Sequence, residues 1–172
     1  MTDRSAPAPA PLAEDAATLP ALLGYGHWLP IRDGDPRGLA LYLRHYCARR
    51  YRDGRRRTLF IGPGEKCVLL THDASALLVW RKFADASGQQ GVNCAVFRNE
   101  GPVRSSDLIR EACEHAWQRW PGARLYTYVN PRRVASANPG YCFKAAGWRH
   151  ARDAAGRPLR TRGGLLILEI TP

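Results

Sequence analysis

Residues 91–120 read GVNCAVFRNEGPVRSSDLIREACEHAWQRW, and the fold turns on them. Val92 to Arg98 is a short apolar run with β-branched and aromatic members, and Asn99-Glu100-Gly101-Pro102 has turn composition, so the stretch begins as strand and turn. Leu108, Ala112, Ala116 and Trp120 then recur every four residues, with Ile109, Cys113 and Trp117 beside them, which is the apolar stripe of a helix. Arg110, Glu111, Glu114, Gln118 and Arg119 make its polar face. Ser105 or Ser106 is placed to cap the first turn, Asp107 suits the positive end of the dipole, and Pro121-Gly122 stops the helix. Backbone N–H groups at such a helix start form an anion cradle. The plainer reading is a βα unit with no ligand at its turn.

Outward toward the N-terminus, residues 1–21 are rich in Ala and Pro and read as a disordered tail, leaving 22–172 as a single domain. Residues 27–31, His-Trp-Leu-Pro-Ile, suit a first strand. Asp35-Pro36 is an N-cap followed by proline at the first helical position, with Leu39, Tyr42, Leu43 and Tyr46 as the stripe of a helix. Lys66 to Thr71 and Ala76 to Phe83 form a hairpin about His72-Asp73-Ala74-Ser75. Beyond the central helix, Arg124 to Asn130 alternates as a strand, Tyr141 to Ala146 is a short helix ended by Gly147, and Leu165 to Ile170 is a last strand after a basic loop. The expected fold is α/β (α+β): a mixed, mostly antiparallel sheet with helices on both faces.

The chain of 172 residues is 45% hydrophobic, enough for a core, and carries +11 from 26 Lys and Arg against 15 Asp and Glu. Nearly all of that positive charge is Arg, whose planar fork fits phosphate, so a polyanion is the expected partner. Arg49, Arg50, Arg52, Arg55, Arg56 and Arg57 put six arginines in nine residues. That exceeds what a helix end needs and points to a nucleic acid backbone. Five separated cysteines with no CxxC pair indicate neither a disulfide framework nor zinc; Cys94 and Cys113 read as small core residues. No apolar run reaches a membrane span of about 20 residues, and no signal peptide is recognisable, so the expected compartment is cytoplasmic and no membrane partner is expected.

The order of elements resembles the GNAT superfamily of N-acetyltransferases, through the strand, turn and helix of 92–120, the YTYVN strand and the Phe143-Lys144-Ala145-Ala146-Gly147-Trp148 ending. The resemblance implies that the turn and helix start bind the pyrophosphate of an acyl donor, acetyl-CoA or another, with Arg98, Gly101, Ser105, Ser106 and Asn138 as cofactor-binding residues. Two departures are plain. RNEGPVRSS keeps one glycine of the usual phosphate loop, and Phe143 stands where many of these enzymes carry a tyrosine general acid, leaving Tyr141 as the nearest phenol. A narrower similarity, in Trp80–Lys82, Val92–Gly101, Ser105–Ile109, Leu125–Val129 and Asn138–Trp148, is to the phage Mom family. That resemblance implies a phage- or prophage-encoded enzyme in the bacterial cytoplasm. Its expected reaction adds a methylcarbamoyl group to the N6 amine of adenine in double-stranded DNA and protects phage DNA from restriction. The alternatives are an acetyl-CoA-dependent N-acetyltransferase acting on a small amine or protein, and a non-catalytic nucleic acid-binding module.

Modifying an exocyclic amine requires a group that takes its proton and a grip on a base drawn from the stack. Glu100, Tyr141, His45 and Asn99 are the catalytic candidates: Glu100 to take the proton, Asn99 (like Asn138) to pair with the adenine edge, Tyr141 to stack or donate, and His45 beside Tyr46 as a base with an orienting phenol. The plain reading makes Asn99 and Asn138 turn formers and Glu100 the ion-pair partner of Arg98. Arg49, Arg52, Arg55, Arg56, Arg57 and Tyr126 are the DNA-binding candidates. The other histidines show no ligand spacing, and the sequence assigns no metal.

Overall fold

Local chemistry starts the first helix where expected. Asp35 accepts the Arg37 backbone N–H at 2.9 Å, and Pro36 occupies the first turn. The computed structural model describes residues 26–48, 53–54, 57–84 and 88–172. Along the described chain run β1 (Trp28–Ile31), α1 (Pro36–Leu43), β2 (Glu65–Thr71), β3 (Ala76–Lys82), β4 (Val92–Asn99), α2 (Ser105–Arg119), β5 (Leu125–Val129), α3 (Tyr141–Ala145), β6 (Arg149–His150) and β7 (Leu166–Ile170). The proposed tail and Arg49, Arg52, Arg55 and Arg56 lie outside the described residues.

The seven strands form one sheet in the order β1-β2-β3-β4-β5-β7-β6. Every neighbouring pair is antiparallel except β4 and β5, which run parallel. Apolar side chains cover both faces. On one, Leu108, Ile109, Ala112, Cys113 and Ala116 of α2 and Phe143 of α3 pack on Trp28, Leu78, Trp80, Cys94, Leu125 and Leu168. On the other, Leu41 and Tyr42 of α1 pack with Phe60 on Val68, Leu70, Leu77, Val79 and Val96. This is the mixed, mostly antiparallel α/β sheet with helices on both faces that the patterning predicts. Burial on two faces is also why β3 is apolar from Ala76 to Trp80 rather than alternating.

Two indoles tie α2 to the sheet: Trp28 Nε1 donates to the Leu108 carbonyl at 2.9 Å and Trp80 Nε1 to the Ala112 carbonyl at 3.0 Å. Both rings are fully buried, so each N–H needs such an acceptor. At the start of β4, Gly91 has φ +117°, and a Cβ there would lie 2.2 Å from the Arg124 carbonyl oxygen. That same carbonyl accepts the Val92 N–H at 2.9 Å, so only glycine lets β4 begin alongside β5.

Several local expectations change. Neither Ser105 nor Ser106 caps α2: Arg104 is the N-cap residue and makes no side-chain cap bond. Ser105 Oγ is instead bonded to Asn99 Nδ2 at 3.1 Å. Part of the basic loop after Trp148 is strand β6, pairing Arg149 with Glu169 and His150 with Leu168. In β4 the register shifts, Val79 facing Val96 and Trp80 facing Cys94, so Ala95 is an extra residue, a β-bulge. Its effect is to change faces: Cys94 packs toward α2, whereas Val96 packs toward α1.

Candidate active site

The parallel ladder between β4 and β5 is short. It runs from Val92–Leu125 through Asn93–Tyr126 to Cys94–Thr127, and there it ends, although β4 continues to Asn99 and β5 to Val129. Thr127 Oγ1 closes the last rung by donating to the Cys94 carbonyl at 2.9 Å. The bulge at Ala95 falls at the same level, bending β4 just where the strands part. A cavity of about 750 Å³ fills the gap, within the usual range for a small-molecule site. It lies at the carboxyl ends of two parallel strands, the general place for ligands in such sheets.

Because the gap opens through the sheet, residues from both sides wall it. Ala95 and Phe97 of β4 face Tyr128 and Val129 of β5; His45, Tyr46 and Cys47 come from the turns after α1, and Cys142 and Phe143 from α3. Arg133 is the cation among the walls, and no carboxylate lines the cavity among the described residues. The site therefore suits an anionic or electron-rich ligand.

His45 sits over the end of β4. Burial, reinforced by the nearby Arg98 guanidinium, pushes its imidazole down to about 4, so at neutral pH it is uncharged. Its backbone hydrogen bond is to Phe97, and Nδ1 lies 2.8 Å from Cys47 Sγ and accepts the Cys47 N–H at 3.2 Å. Because Nδ1 accepts the Cys47 N–H, the lone pair is on Nδ1 and the ring proton on Nε2. The Tyr46 ring lies against this ring, tilted by 30°, with centroids 4.4 Å apart. Burial holds its phenol above the ordinary range against an opposing backbone bond from Asn130, so it keeps its proton. Neighbouring residues thus present a neutral base and a protonated acid to one cavity. The Arg98 Nη1 bond to the Arg44 carbonyl, 2.7 Å, fixes the turn that carries them.

The remaining sequence candidates fall into two groups. Around the β4–α2 turn, Asn99 uses its amide locally: Nδ2 donates to the Val103 carbonyl at 2.7 Å, and Oδ1 accepts the Gly101 N–H at 2.9 Å. Glu100 bridges Arg44 and Arg98 at 2.6 and 2.5 Å. Hydrogen bonds from those two guanidinium groups, Arg44 first, pull its carboxyl to about 2, which makes it a poor base. Gly101, Ser105 and Ser106 complete this turn, and none of the turn residues lines the cavity. The second group is dispersed. Tyr141 is 63% exposed at the start of α3, and Asn138 Oδ1 accepts the Lys144 ammonium at 2.6 Å. Tyr126, expected to reach a base, is 1% exposed and packs edge-on to Tyr128, which leaves no face for stacking. Arg57 lies over the Tyr42 ring at 5.2 Å and donates to the Leu59 carbonyl, so part of its capacity anchors its own loop. Of the sequence candidates among the described residues, His45 alone lines the cavity. Cys47, Asn130, Arg133 and Cys142 are wall residues the sequence reading did not select.

The ion pairs of Glu100 have a measurable signature. Its folded carboxyl titrates below the ordinary glutamate value of 4.5, so the pairs stabilise the fold above that pH and the contribution fades as pH falls toward 2. Glu100→Gln is accordingly less stable than wild type at neutral pH, and the gap in urea midpoint closes over that interval.

Among the described residues no group of three or more His, Cys, Asp or Glu side chains is arranged to hold a metal ion, and no helix is long and apolar enough to cross a membrane. No protein-family model, curated protein or solved structure matches the chain.

Proposed function

We propose that the protein is a transferase that holds an acyl-type donor in the cleft between β4 and β5 and passes its group to an amine, the N6 amine of adenine in DNA. The observation that carries this reading is the pairing, in one cavity at the ends of parallel strands, of a neutral His45 with a protonated Tyr46. An uncharged imidazole is the form that takes a proton, and a phenol that keeps its proton can return one to a leaving group. Arg133 supplies positive charge for the phosphates of a donor. The excess of 11 positive charges and the similarity to the Mom family support DNA as the acceptor.

The test is to express the chain in bacteria, digest the host DNA to nucleosides and weigh deoxyadenosine by mass spectrometry. A heavier deoxyadenosine, absent with His45→Ala, is the expected result, and its mass identifies the transferred group. Unmodified DNA beside folded protein that also fails to bind acyl donors in calorimetry rejects the proposal. Binding to DNA should weaken steeply with salt, and Arg55→Ala with Arg56→Ala should lower that slope by about 2. Arg57 is left in place because it packs on Tyr42. A slope indifferent to those changes removes the arginine run from the interface.

A further inference from the structure

Cys47 was no more than one of five scattered cysteines in the sequence, yet it is the thiol that meets a base inside the cavity. Its Sγ lies 2.8 Å from His45 Nδ1, and both residues line the gap where β4 and β5 part. Three features make the contact more than a chance approach. The ring is also hydrogen-bonded to the Phe97 backbone, and Nδ1 is the ring atom that faces the sulfur. The Cys47 backbone N–H also binds Nδ1, at 3.2 Å, which fixes the turn that brings the two side chains together. Cys47 is exposed, whereas Cys94 and Cys142, the other thiols along the cavity, are buried and half-buried. A nucleophile, a base within hydrogen-bond reach, and a third group orienting the base are the parts of a covalent catalyst.

We infer that Cys47 is the nucleophile of a two-step transfer, taking the acyl group from an acyl thioester and yielding it to the amine. The inference rests on the transferase reading above and specifies how that site would work. In the first step the Cys47 thiol proton passes to His45 Nδ1 while Sγ bonds to the donor carbonyl carbon. The donor C–S bond breaks, and the departing thiolate takes the proton from His45. In the second step the amine nitrogen bonds to the same carbon, the Cys47 C–S bond breaks, and a proton from the amine returns through His45 to Sγ. One thioester and one amine become one thiol and one amide, with no oxidant or reductant required.

Purified full-length protein is mixed with p-nitrophenyl acetate, and separately with acetyl-CoA, quenched in acid and weighed intact. The expected result is one acetyl group per chain, mapped to Cys47 and released by neutral hydroxylamine, with a burst of nitrophenolate from the ester. Cys47→Ser, a near-isosteric change at an exposed position, eliminates the adduct. His45→Ala slows acylation roughly 100-fold or more. Acylation of Cys47 no faster than that of glutathione overturns the inference, as does a Cys47→Ser protein that modifies cellular DNA at the wild-type level. The latter result leaves the transferase reading standing. Conversely, fast Cys47 acylation in a protein that never marks DNA keeps the nucleophile and rejects the acceptor.

Discussion

Ala95→Trp is expected to lower the proposed transfer by about 100-fold or more while the chain stays folded. Ala95 is the bulged residue of β4, half-exposed, and its side chain lines the cavity. An indole there would occupy the space the proposed donor needs and displace its reacting carbon from His45 and Tyr46. Its backbone is not among the positive-φ positions, so a larger side chain meets no conformational penalty of that kind. Nucleoside mass spectrometry beside a thermal melt reads the outcome. Full activity in a stable Ala95→Trp protein would place the reaction away from the cleft.

Trp80→Ala is expected to cost about 3–5 kcal/mol of stability, a large part of the ~5–15 kcal/mol by which small domains hold together. Trp80 is fully buried, lies nearly parallel to Trp148 with centroids 6.3 Å apart, and donates to the Ala112 carbonyl. Removing the ring opens a void among β3, α2 and Trp148 that close-packed neighbours refill only in part. Trp80→Phe keeps most of the volume and loses the indole bond, for about 1 kcal/mol. Urea unfolding of the two variants separates packing from hydrogen bonding: equal losses would mean that the ring volume counts for little.

What was legible in the sequence follows from how local its cause is. The α2 stripe repeats every four residues, and the Asp35-Pro36 start of α1 is chemistry between neighbours, so both were readable. The bulge was not. Cys94 and Val96 are both buried, on opposite faces, and an apolar run covered on two sides does not disclose where it changes face. The cleft depends on where pairing between β4 and β5 stops, a fact about two segments more than thirty residues apart. Glu100 beside Arg98 was open to an ion-pair reading, but its second partner, Arg44, lies 56 residues away. His45 and Cys47 stood two residues apart in plain sight. Extending the helix over them puts positions two apart on different sides, whereas α1 ends at Leu43 and the turns beyond it bring the two together.

The two indole bonds from the sheet to α2 also decide which wall of the cleft can yield. Leu108 and Ala112, whose carbonyls receive them, are one helical turn apart, and the donors stand on different strands, β1 and β3. A rod held by two such pegs can neither slide along its axis nor roll about it without breaking a buried bond. The sheet, backed by α2, therefore behaves as a fixed jaw, although α2 itself does not line the cavity. The opposing jaw is the short segment from Arg44 to Ala48, anchored chiefly through exposed arginine contacts to Arg98 and Glu100. Entry of a bulky donor would be accommodated there, where water can stand in for the contacts that loosen, and the base and the thiol would travel with the moving part.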